Sequence, residues 1–178
     1  MGRIRDFLVP PLAVGIFLSV GLMAAASAGF RLNMTASLPF GLYRETAPVS
    51  QLERGMFASF CLEDAEFIRL AKERRYVGGG TCQGGIKPLG KEIFGLPGDE
   101  ISLQDGLIAV NGRIVPLTGV KSTDSHGRTM PASKLAPGVI PEGYALMLSP
   151  HHAGGFDSRY FGLVRLSSLH PLRPVFTW

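Results

Sequence analysis

The chain has 178 residues, 46% of them hydrophobic and 18% charged, with a net charge of +4. That length suits one domain with an appendage and leaves little room for two full domains. The balance excludes a disordered chain, and without any Lys/Arg run the modest basic excess gives no sign of nucleic-acid binding.

Residues 7–30 carry no charge, with Arg3 and Arg5 before them and Arg31 after. A bilayer-spanning helix needs about 20 apolar residues, so the stretch is long enough to span. Pro10 and Pro11 fall in its first turns, where a missing N–H costs least. The leading arginines predict a cytoplasmic N-terminus and an exported body. Residues 24–28 also hold small residues in an A-x-A arrangement, as a cleaved secretory signal requires. The unbroken apolar run over residues 7–23 is longer than a usual signal core, which favours a retained anchor. Either way residues 1–30 form an anchor or signal segment, and residues 31–178 are the exported domain.

In that domain, residues 56–62 read as a strand. Residues 63–74 place Phe67, Leu70 and Ala71 at helical spacing, predicting a short helix that Gly78-Gly79-Gly80 breaks. Residues 92–95 lead into a turn at 96–99. Residues 100–103 and 107–110 pair as strands around Asp105-Gly106, and Asn111-Gly112 signals a second hairpin into residues 113–117. Residues 121–138 are polar and turn-rich, predicting a surface loop. Residues 144–148 are a further strand and 162–165 the last. With Gly 23 and Pro 13 in the chain, the expectation is a mainly β domain of short strands. Cys61 and Cys82 are permitted a disulfide in an oxidising compartment; two unpaired buried thiols fit the sequence as well. No cysteine or histidine cluster has zinc spacing, and no metal or cofactor is implied.

A serine hydroxyl needs a base to become a nucleophile. Lysine can serve if burial in apolar surroundings lowers its pKa. Ser37 sits in Ser37-Leu38-Pro39-Phe40-Gly41-Leu42-Tyr43, where Pro39 and Gly41 make a rigid turn. Lys91 sits in Lys91-Glu92-Ile93-Phe94-Gly95-Leu96-Pro97-Gly98-Asp99. Taken singly, these are a turn serine and a surface lysine. Together, and in order, they resemble the serine and lysine boxes of signal peptidases, the first most similar to the conjugal-transfer, TraF-type branch. Phe156-Asp157-Ser158-Arg159-Tyr160-Phe161-Gly162 resembles a third box of the same fold.

The resemblance implies a signal-peptidase-like β-domain behind an N-terminal membrane-spanning or signal helix. It implies that Ser37 attacks the scissile carbonyl and that Lys91 is its base. The Ser37 N–H and the Thr35 hydroxyl would bind the oxyanion, and Asp157 and Arg159 would form an ion pair that orients the Lys91 surroundings. Lys87 is a decoy, because only Lys91 stands four residues before Gly95. Pro39 lies two residues after the serine, where type I signal peptidases have it three after. Gly155 stands where the family often has a serine bonded to the lysine, so another hydroxyl, water or burial alone must support Lys91. His151 and His152 offer, with Ser37 and Asp157, a Ser-His-Asp triad on paper, but Gly-x-Ser-x-Gly is absent and a surface role is the expectation. The implied activity is a membrane-proximal endopeptidase cutting exported precursors after small residues, with a pilin or other secreted precursor and the membrane as partners. A broad-specificity type I signal peptidase and a non-catalytic scaffold of a secretion apparatus are the rival readings.

Overall fold

The computed structural model describes the backbone of residues 3–48 and 51–178, and side chains from residue 13 onward within that range. A helix, α1 (Arg3–Ser27), leads into β1 (Phe30–Asn33) and β2 (Gly41–Glu45). Next come β3 (Phe57–Phe60), α2 (Ala65–Glu73), β4 (Leu89–Gly95), β5 (Glu100–Gln104), β6 (Leu107–Val110), β7 (Arg113–Ile114) and β8 (Gly138–Val139). The chain closes with β9 (Tyr144–Leu148), α3 (Ser158–Phe161), β10 (Val164–Arg165) and β11 (His170–Thr177). The expected mainly β domain of short strands is therefore present.

Two sheets carry it. Seven strands run β1-β2-β11-β3-β4-β9-β10, and four run β7-β6-β5-β8. β9 is buried on both faces: Ala145 and Met147 join one core with Phe60, Phe67 and Ile93, while Leu146 and Leu148 join another with Ile101, Ile108 and Ile140. That is why residues 144–148 form a continuous apolar run, with no alternation. α2 starts where Asp64 accepts from the N–H groups of Glu66 and Phe67, an N-cap, and buries Phe67, Ile68 and Ala71. Both hairpin turns have the expected left-handed residues, Asp105-Gly106 and Asn111-Gly112.

Several expectations are corrected. Residues 162–165 do not hold the last strand: β11 follows and lies centrally, between β2 and β3. Pro171 and Pro174 hid it, since proline lacks a ladder donor; a register shift between Pro174 and Phe176 accommodates the second proline. Residues 92–95 belong to a seven-residue strand that starts at Leu89. β7 stops at Ile114, and Leu117 has φ 60°, which no strand adopts. Of the two alternatives left open for Cys61 and Cys82, the disulfide is the one present, Cα–Cα 5.5 Å. The N-terminal segment is a helix, but among the described residues no helix is long and apolar enough to cross a membrane. The side chains of residues 1–12, including the start of the uncharged stretch and both leading arginines, lie outside the described residues.

Candidate active site

Ser37 lies in the loop joining β1 to β2, and the loop's shape comes from its polar ends. Asn33 Nδ2 donates to the carbonyls of Thr35 (2.9 Å), Leu38 (2.9 Å) and Pro39 (3.0 Å). Tyr43 Oη donates to the Pro39 carbonyl as well, at 2.7 Å. Leu38 is buried with Tyr43 and Leu172 and packs on Gly90, where a Cβ would lie 3.1 Å from Leu38 Cδ1. Gly90 precedes Lys91, so seating Leu38 on its bare backbone sets Ser37 over the lysine. Gly41 is required by close approach: a Cβ there would stand 2.4 Å from the Phe176 carbonyl oxygen.

β4 alternates buried and partly buried residues, with Leu89, Lys91, Ile93 and Gly95 on the buried face. Lys91 thus occupies a core-facing position, at 3% exposure. Its Nζ lies 2.8 Å from Ser37 Oγ and 2.8 Å from Ser149 Oγ. Burial drives its pKa down to about 8, a fall that Asp157 opposes and Arg159 assists. Beyond Gly95, where a Cβ would come 2.5 Å from Ile140 Cδ1, the motif turns at Gly98. Asp99 closes that turn, accepting from Leu96 N (2.8 Å), Asn111 Nδ2 (2.7 Å) and the Arg54 guanidinium. The end of the lysine box is therefore architectural.

Ser149, just beyond β9, is the hydroxyl at Lys91 that the missing serine at 155 left in question. Its N–H donates to Asp157 Oδ2 at 2.9 Å. Asp157 receives Arg159 Nε at Oδ1 and Nη2 at Oδ2, both 2.8 Å, and caps α3. Arg159, itself fully buried, also donates to the carbonyls of Leu117 (3.0 Å), Ala153 (3.0 Å) and Gly155 (2.9 Å). A side chain at 155 has no room: its Cβ would lie 2.5 Å from Arg159 Nη2 and 2.9 Å from Ser149 Cβ.

Other candidates lie apart. Thr35 is exposed and its hydroxyl donates to Asn33 Oδ1 at 2.8 Å. Lys87 is exposed, and its stem runs beside Gly78. The paper triad is not assembled. Both His151 and His152 are exposed and border a cavity of about 520 Å³ with Tyr76 and Asp124. Neither is bonded to Ser37 among the described residues, and Asp157 is taken by Arg159 and Ser149. Sequence reasoning missed Asn33, Gly90 and Ser149. The legible signal for Ser149 was a hydroxyl ending an apolar strand; for Asn33, an amide opening a turn.

Comparison with known proteins gives the family. A "Plasmid transfer protein TraF" of Escherichia coli is 36% identical over 161 residues, covering 88% of this chain and 89% of that protein. A "Conjugal transfer protein TraF" of Agrobacterium tumefaciens (strain 15955) is 37% identical over 168 residues, covering 92% and 91%. The crystal structure of a signal peptidase I from Enterococcus faecalis V583 matches at 20% identity and a TM-score of 0.40, over 68% of this chain and 95% of that one. The model of the family described as signal peptidase, peptidase S26, matches residues 4–178. This chain belongs to the S26 signal peptidase family.

Proposed function

We propose that the chain is a serine endopeptidase working through a Ser37/Lys91 dyad, and that it processes exported precursor proteins at small residues, among them a conjugative pilin. The observation that carries this is the 2.8 Å contact between Ser37 Oγ and the amine of a buried lysine whose pKa is depressed to about 8. In its neutral form the amine takes the Ser37 proton as Oγ attacks the scissile carbonyl. The oxyanion forms against the Ser37 N–H, with Thr35 assisting once its hydroxyl turns from Asn33. Lys91 then passes the proton to the leaving amine, and an acyl ester stays on Ser37. Water resolves that ester by hydrolysis; an amine that intercepts it instead, such as the substrate's own N-terminus, closes a ring.

Ser149 supports Lys91 in this reading. A neutral amine has one lone pair, which must face the Ser37 O–H, so its N–H groups need another acceptor. Ser149 Oγ supplies one, held by the N–H bond from Ser149 to Asp157. The conjugal-transfer names of the relatives support the pilin substrate, and residues 7–30 with their flanking arginines support a membrane-held enzyme with an exported catalytic domain, periplasmic if cleaved free. A broad-specificity signal peptidase would share all of this chemistry and differ in substrate.

Cleavage of a co-expressed pilin precursor tests the reading, with product masses recorded. Ser37→Ala and Lys91→Ala should abolish processing in folded protein, and Lys87→Ala should leave it. A product lighter by one water than the linear one marks cyclisation. Activity retained in Lys91→Ala would overturn the dyad. A folded, wild-type chain that cuts no precursor would favour the scaffold reading.

A further inference from the structure

β4 holds Lys91 on its buried face and Gly90, Glu92 and Phe94 on the other. The Cβ position of Gly90 points at Leu38, the neighbour of Ser37, 3.1 Å from its Cδ1. Side chains two apart on a strand share a face and stand about 7 Å apart. Glu92 therefore shares the face that receives the Ser37 loop, one such step further along the strand. Its partners across the sheet are Phe57 on β3 and Leu148 on β9, and neither side chain can donate a hydrogen bond.

The Glu92 side chain is only 19% exposed, yet among the described residues no hydrogen bond reaches its carboxylate. What faces it is His151 Nε2, at 4.0 Å and on a side chain that is half exposed, too far for a hydrogen bond. The other largely buried carboxylates are each met by an arginine or lysine: Glu45 by Arg31, Asp64 by Lys134, Asp99 by Arg54, Asp124 by Arg128 and Asp157 by Arg159. Burial pushes the pKa of Glu92 up, the mark of a charge without its counter-charge. Nor is that charge spent on the base, since the charges that act on Lys91 are those of Asp157 and Arg159. A desolvated carboxylate is a cost until something pairs with it. His151 also borders the cavity of about 520 Å³, so the approach to Glu92 is open on that side.

We propose that Glu92 is a specificity-determining residue that receives a positively charged group of the precursor, an ammonium or guanidinium, beside the Ser37/Lys91 dyad. This rests on the peptidase reading above and deepens it. The cation has two sources, a lysine or arginine side chain near the scissile bond or the free amino terminus of a chain, and the chemistry at Glu92 is the same for both. A cation there offsets the hydration that the carboxylate lost, and it holds the peptide in register with Ser37. The preference therefore belongs to binding and not to the chemical step.

The test uses full-length Ser37→Ala protein, which binds without cutting, and synthetic peptides with alanines around a cleavage point. One lysine is moved residue by residue through the set, with norleucine as the uncharged control. Each peptide is made with a free and with an acetylated amino terminus. At one position lysine should bind about tenfold more tightly than norleucine, and adding Glu92→Gln should remove that difference. Acetylated norleucine peptides, which bring no charge to Glu92, should bind both proteins alike. With Ser37 restored, the lysine preference should appear in KM, and the pH–rate limb of Glu92→Gln should stay near pH 8. A preference that follows the free terminus instead of any lysine names the chain end as the cation and upholds the site. A preference that survives Glu92→Gln, or none at any position or terminus, overturns the proposal. So does a limb that moves in Glu92→Gln, which would make the residue a tuner of Lys91. The binding comparison needs no catalysis: a lysine preference in Ser37→Ala protein, beside a wild type that cuts no peptide, would sink the peptidase reading and leave the cation site standing.

Discussion

Lys91 has to sit in an apolar strand and still meet a proton, and its neighbours divide that work. Burial lowers its pKa, Asp157 resists the fall, and the balance lies at about 8. In the proposed mechanism the neutral amine is the active form, so kcat/KM should rise with pH through a limb near pH 8, with about a tenth of the enzyme competent at pH 7. The measurement is a pH–rate profile on a peptide substrate. Ser149 belongs to the same scale. Ser149→Ala removes the acceptor that turns the Lys91 lone pair toward Ser37, and kcat should fall by about tenfold to a hundredfold with KM little changed. Ser149→Thr, which keeps the hydroxyl, should recover part of the loss. Equal damage from Ala and Thr would reduce Ser149 to packing. Restoring a serine at Gly155 is no remedy, because its Cβ would displace Arg159.

Among the elements, β4 and the segment before it need a fixed start, and the disulfide provides one. Cys61 follows β3, Cys82 precedes β4, and α2 lies in the loop they close, a separation of 21 residues. Gly80 packs on the backbone of Lys87, with a Cβ position 2.6 Å from Lys87 Cα, so the strap between the cysteines presses on the approach to Lys91. Closing a loop of this length is worth about 3 kcal/mol through the unfolded chain. Reduction, or Cys61→Ala with Cys82→Ala, should lower stability in chemical denaturation by about that amount. The loss of activity should track unfolding and leave the pH–rate limb in place. A variant as stable as the wild type would assign the constraint to packing of α2 instead.

For the whole molecule, a buried ionisable amine is a cost that depends on pH. Between about 8 in the folded chain and 10.5 in the unfolded chain, the unfolded state holds more protons, so stability rises with pH across that window. Below it both states are protonated and the full cost of burying the charge remains, about 3 kcal/mol. Lys91→Met should therefore be inactive yet more stable than wild type at pH 7, with the difference shrinking above pH 8 and gone past 10.5. Urea titrations of both proteins at pH 7 and pH 9 check this; a constant difference between the two would mean that folded Lys91 stays protonated through pH 9, as the unfolded lysine does, and that its pKa is not depressed.

The contact between Ser37 and Lys91 was legible because each stands in a motif of residue types at fixed spacing: Ser37 before Pro39 and Gly41, Lys91 before Gly95 and Asp99. The hairpins at Asp105-Gly106 and Asn111-Gly112 were legible for the same reason, being local backbone demands. β11 was not, because its prolines argue against a strand and only its two neighbours stabilise it. Ser149 and Gly90 were not either, since a hydroxyl 58 positions from Lys91 in sequence and a bare backbone under Leu38 matter only once strands are paired. Sequence alone pointed to the candidate nucleophile and base and to where the chain turns, since both follow from side-chain type and near neighbours. Only the tertiary structure set which hydroxyl faces the amine and how deeply that amine is buried, because both depend on contacts between segments distant in the chain.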